Sequence, residues 1–102
     1  MRIIKRSTLR TYWQRHPDAE IPLRNWLDAT KSAQWRQIQE VRQTFPHADS
    51  ATAASGNTVT IFNIGGNDYR LIVSIKYKWG AVYIRDFLTH AEYDKAGWKK
   101  RH

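Results

Sequence analysis

The amino-acid sequence predicts an α+β domain, a mostly antiparallel sheet of about four strands with N-terminal helices packed on one face. Three observations carry this. From Thr60 to Asp94 strand-like runs follow one another, separated by Gly65-Gly66-Asn67-Asp68 and by Tyr77-Lys78-Trp79-Gly80. Ahead of them, apolar residues recur at helical spacing, Leu9/Tyr12/Trp13/His16 and Leu23/Trp26/Leu27/Thr30. No segment repeats or shifts in composition, so residues 1–102 are expected to form one domain.

Each element has a local reason. Ile3 and Ile4 between basic residues predict a short strand over Arg2–Arg6. Ser7 is placed to cap the first helix, and Pro17 to end it, because a proline ring disfavours helical geometry at the preceding residue. Asp18 is placed to cap the second helix, with Glu20 favourable at its positive end and Pro22 in the first turn. Ile38, Val41 and Phe45 predict a third helix, stopped by Pro46. Residues 47–57 are small and polar and read as a loop or an irregular edge, with a turn at Gly56-Asn57.

Strands are then expected over Val59–Ile64, Tyr69–Lys76 and Ala81–Leu88, with a tight hairpin at the glycine pair. Strict alternation puts Tyr69, Leu71, Val73 and Ile75 with Val82, Ile84, Asp86 and Leu88 toward the helices. Arg70, Lys76, Tyr83, Arg85 and Phe87 fall on the other face. Asp86 is the misfit, and a helix arginine could pair with it.

The charge balance narrows the function. Seventeen Lys and Arg against nine Asp and Glu give a net +8, which favours a polyanionic or acidic partner. With no cysteine, disulfides, thiolate zinc sites and a cysteine nucleophile are excluded. No apolar leader and no run of 18 apolar residues is present, so no membrane association is expected and a cytoplasmic location fits. The glycine pair opens no helix, so a nucleotide-binding loop is not expected.

Two constellations carry chemistry. Arg70 and Arg85 fall on neighbouring strands of one face, an arrangement stabilised when an anion bridges the guanidinium groups, or when Asp68 or Asp86 pairs with them. Thr89-His90-Ala91-Glu92-Tyr93-Asp94 places a proton-transferring imidazole one helical turn from a phenol. His90 and Glu92 lack a third metal ligand, and no metal or cofactor is expected.

The runs FNIGGNDYRLIVSIKY and VYIRDFLTHAEYD, with LRTYWQRHPDAEIPLRNWL before them, resemble the HigB-type toxins of bacterial toxin–antitoxin pairs, in the RelE/ParE superfamily. The resemblance covers nearly the whole chain. It implies a RelE-like fold and an endoribonuclease that cuts mRNA on the translating ribosome. It also implies a HigA-type helix-turn-helix antitoxin, with operator DNA bound only through the toxin–antitoxin complex. The family's site positions fall on Arg70, Arg85, His90 and Tyr93. RNA contacts are expected from Lys5, Arg6, Asn67, Lys76 and Lys99, within or near the basic tracts Arg2–Arg10 and Lys95–Arg101. Gly65, Asp68 and Thr58 stand where many relatives carry a basic residue.

The implied reaction is attack of the RNA 2′-hydroxyl on the adjacent phosphate with loss of the 5′-oxygen. It needs a base, an acid and cations for the charge on phosphorus. Arg70 and Arg85 are assigned the charge. His90 is assigned the base and Tyr93 the acid, its phenol made easier to ionise by the arginines; the reverse assignment is equally open. Two other classes are compatible with the sequence, a non-catalytic inhibitor of DNA gyrase and a plain RNA-binding module.

Overall fold

A computed structural model describes residues 1–95 and 97–102; Ala96, inside the basic tract 95–101, lies outside them. Strand β1 (Arg2–Ile4) leads into helix α1 (Ser7–Arg15), a single 3-10 turn over Pro17–Ala19, and helices α2 (Glu20–Ser32) and α3 (Ile38–Thr44). Strands β2 (Asp49–Thr52), β3 (Thr58–Ile64), β4 (Tyr69–Lys76) and β5 (Ala81–Thr89) follow, and then the short helices α4 (His90–Asp94) and α5 (Trp98–Arg101). The sheet has five strands in the order β1-β5-β4-β3-β2, with only β1 and β5 parallel.

The fifth strand is β2, inside the segment expected to be a loop or irregular edge. Its side chains are largely exposed and show no apolar alternation, so only backbone pairing to β3 marks it as a strand.

The helix caps differ from the expectation. Helix α1 already includes Ser7, and α2 begins at Glu20; neither has a side-chain N-cap. The Pro17–Ala19 turn moves the start of α2 past Asp18, whose carboxylate instead accepts a 2.7 Å bond from the Tyr69 hydroxyl. That acceptor, with burial of the ring and the charges of Asp18 and Asp68, pushes the Tyr69 phenol up to about 12.

The main core lies between α1–α3 and one sheet face. Leu9, Leu23, Trp26 and Val41 pack there against Phe62, Leu71, Val73, Val82 and Phe87. The alternation in β5 is broken. Ile72 pairs with Asp86 but Val73 pairs with Ile84, so Arg85 is an extra, bulged residue. A bulge shifts the period-two phase by one. Phe87 therefore turns into the helix-side core, while Asp86 and Leu88 turn to the second face, the reverse of the expected assignment. Asp86 meets no arginine of the N-terminal helices; it pairs with Arg101 at 2.8 Å and with His102 at 3.1 Å.

The second face is not open along its length. Val59, Ile61, Ile72 and Leu88 form a smaller cluster covered by Trp98, which is 1% exposed. The C-terminal basic tract thus carries a buried anchor.

Candidate RNA-binding and catalytic site

The site is built where the β3–β4 hairpin meets the end of β5. Thr89-His90-Ala91-Glu92 is a capping box: the Glu92 N–H donates to Thr89 Oγ1 (3.2 Å) and the Thr89 N–H donates to Glu92 Oε1 (2.9 Å). The box turns the chain into α4 directly at His90. The His90 N–H then donates to the Asp68 carbonyl at 3.0 Å, tying α4 to the hairpin.

Arg70 lies at the centre and is 9% exposed. Its Nη1 donates to the carbonyls of Asn67 (3.2 Å) and Tyr69 (3.1 Å), and its Nη2 lies 3.1 Å from His90 Nδ1. Guanidinium only donates, so Nδ1 must be the acceptor. The imidazole proton is then on Nε2, which donates to Asp94 Oδ2 at 3.1 Å. The Arg70 guanidinium also stands 5.5 Å from the centre of the Tyr93 ring. No ion pair among the described residues involves Arg70 or Arg85.

Tyr93 stacks on Trp98, with centroids 5.4 Å apart and planes 12° from parallel, and its carbonyl accepts from the indole N–H at 3.2 Å. Burial pushes the phenol up, the charges of Asp49 and Asp94 add to this, and Arg70 pulls down without cancelling them. The expected easier ionisation is therefore corrected: desolvation outweighs the arginine field, and the phenol holds its proton more tightly.

Arg70, His90 and Tyr93 thus meet, with Asn67 joined through its carbonyl. Arg85 does not meet them. Its Nε donates to Ser74 Oγ at 3.0 Å, and its guanidinium stands 5.8 Å from the Tyr83 ring. Ser74 shares a face with Arg70 four residues along β4, about 13 Å away. Lys76 lines a separate cleft at the other end of β4, with Arg36 and Tyr77. Arg6 lines a groove on the helical side with Arg10, Trp13 and Arg24. Lys5 occupies the β1–α1 turn with φ 64°, and Lys99 reaches to 5.7 Å from the Trp98 ring.

Sequence reasoning missed two residues around this site and the role of a third. Glu92, weighed only as a metal ligand, was legible as the fourth residue of the capping box. Asn63 is the β3 register partner of Arg70, which needed only the hairpin pairing to be counted back. Trp98 was hidden by the lysines around it.

The chain is 24% identical over 94 residues to the mRNA interferase toxin HigB of Escherichia coli K12, covering 92% of this chain and 88% of that protein. It is 25% identical over 95 residues to the mRNA interferase HigB of Escherichia coli O6:H1, covering 93% and 90%. The mRNA interferase HigB of Shigella flexneri matches at 24% identity over 94 residues, 92% of this chain and 88% of that protein. The family model for HigB toxin, the RelE-like toxic component of a toxin–antitoxin system, matches residues 19–96. That span is most of the chain and contains Arg70, His90 and Tyr93, and the sheet around them is of the kind the family implies: this chain belongs to the HigB toxin family, and its partner is an antitoxin.

Proposed function

We propose that this chain is an mRNA interferase, a metal-independent endoribonuclease that cuts mRNA on translating ribosomes in the cytoplasm and so blocks translation. The observation that carries the reading is Arg70, a buried cation held by two carbonyls and a neutral histidine, with no carboxylate partner among the described residues. A charge taken out of water without a counter-ion keeps a strong positive potential. A phosphodiester supplies the missing charge.

The same contacts suggest an order of events. Arg70 Nη2 covers the His90 lone pair. A phosphate that draws Nη2 to itself frees Nδ1 to take the 2′-hydroxyl proton. Asp94 holds the other ring nitrogen and so fixes the tautomer. Tyr93, whose phenol carries its proton at neutral pH, gives that proton to the leaving 5′-oxygen. Arg70 stabilises the charge on phosphorus. Arg85, held by Ser74 and outside the Arg70–His90–Tyr93 cluster, is assigned a phosphate further along the RNA. Lys5, Arg6, Lys76 and Lys99 are assigned RNA backbone contacts beyond the site.

The antitoxin is proposed to be a HigA-type helix-turn-helix protein, through which alone operator DNA is bound.

The test is mRNA cleavage in a translating extract. Arg70→Ala and His90→Ala are each expected to lower cleavage by about 100-fold or more. Undiminished cleavage in both variants refutes the mechanism. Intact mRNA with blocked DNA supercoiling would point to a gyrase inhibitor instead.

A further inference from the structure

A cavity of about 420 Å³ opens beside the arginine site, lined by His47, Asn63, Gly66 and Asn67. We infer that it receives a nucleobase of the RNA strand whose phosphate rests on Arg70. The inference builds on the nuclease reading and adds which part of the substrate this chain recognises.

Position is the first argument. Asn63 and Arg70 are directly opposed in the β3–β4 pairing, so their side chains leave the same face with Cβ atoms about 5 Å apart. Asn67 touches both regions, since it lines the cavity and its carbonyl accepts from Arg70 Nη1. His47 closes the side away from β4. The cavity and the catalytic cluster therefore meet at Asn67.

Chemistry is the second. No Lys, Arg, Asp or Glu lines the cavity, so its occupant is not held as an ion. Two carboxamides each present a donor pair and an acceptor, the pattern that matches base edges. An imidazole ring offers a face on which an unstacked base can rest. Gly66, at φ 69°, adds no side chain to fill the space. Among the described residues the side chains of His47, Asn63 and Asn67 make no hydrogen bond, so these groups are free for a ligand. The volume lies within the usual range for small-ligand pockets. Single-stranded RNA is read in this way, by splayed bases that stack and present their edges.

The experiment maps cut sites on mRNA in a translating extract for the full chain, Asn63→Ala, His47→Ala, His47→Phe and Arg70→Ala. Wild type is expected to favour particular bases beside the cut. Asn63→Ala should flatten that preference and lower kcat/KM about tenfold or more. His47→Ala should raise KM by about tenfold with little change in kcat, and His47→Phe, which keeps a ring face, should restore it. His47 is exposed, so its variants test the cavity without risk to the fold. The inference fails if base preference and KM are unchanged in Asn63→Ala and His47→Ala while Arg70→Ala still abolishes cleavage. It also fails if phenylalanine does not rescue. Wild-type protein that leaves mRNA intact sinks the nuclease reading, and the cavity's assignment with it.

Discussion

Arg70 carries no acceptor atom, and this assigns the protons around it. His90 Nδ1 must face it as a lone pair, and Nε2–H must face Asp94. The imidazole is thereby oriented before substrate arrives. Tyr93 is shaped differently, by burial and by a ring stack rather than by a polar partner. Its raised phenol stays protonated at neutral pH, so it is available as a donor and not as a base, though a weaker acid than a free phenol. Tyr93→Phe keeps the ring on Trp98 and removes only the hydroxyl. It is expected to lower cleavage about 100-fold while leaving the melting temperature near wild type, checked by assay and thermal melt on one preparation. Loss of stability together with activity would mean that the ring, not its proton, is what matters.

At the scale of elements, the bulge at Arg85 and helix α5 decide what the second face can do. The bulge turns Leu88 toward Trp98 and turns Asp86 toward Arg101 and His102. Burial alone would raise the Asp86 carboxyl. Hydrogen bonds from Arg101, His102 and the Phe87 N–H outweigh it, and the carboxyl falls below its ordinary 3.8. A carboxyl depressed on folding contributes stability above its unfolded value and loses it as pH falls through the folded one. Docking of α5 should therefore weaken below about pH 4, where the unfolded carboxyl already takes up protons. Hydrogen exchange of residues 97–102 reads this directly. Trp98→Ala should cost about 3 kcal/mol in a denaturant melt, the lower end for emptying a buried tryptophan site. If the protection of that segment, measured against intrinsic exchange at each pH, is no greater at neutral pH than at pH 3, the helix is not held by Asp86.

For the molecule as a whole, the net +8 acts through its distribution. Arg70 is buried at the site, Arg6, Arg10 and Arg24 line the helical groove, and Lys99 to Arg101 lie along α5. Binding of single-stranded RNA should weaken with salt, with about 0.7 of slope for each phosphate contact. Lys99→Ala is expected to reduce that slope by about 0.7 on an oligonucleotide made uncleavable by 2′-O-methylation. Fluorescence anisotropy across a salt series measures it. An unchanged slope would leave Lys99 as solvated charge with no part in binding.

Local patterns were enough for most of the fold. Aromatic spacing gave α1 and α2, and the glycine pair gave the β3–β4 hairpin, because both depend on neighbours within a few residues. Arg70, His90 and Tyr93 were legible for the same reason, with a strand, a turn and a short helix placing them in sequence order. Strand β2 was not legible, since backbone pairing alone makes it a strand. The Arg85 bulge left one trace, a charge at an inward position, but the choice of bulged residue depends on packing Phe87 against Leu71 and Ile72 against Trp98. The separation of Arg85 from Arg70 and the cavity beside Asn63 come from register and loop placement, contacts between residues distant in the chain. Residue chemistry told which groups can hold a phosphate and move a proton; only long-range packing decided which of them stand together.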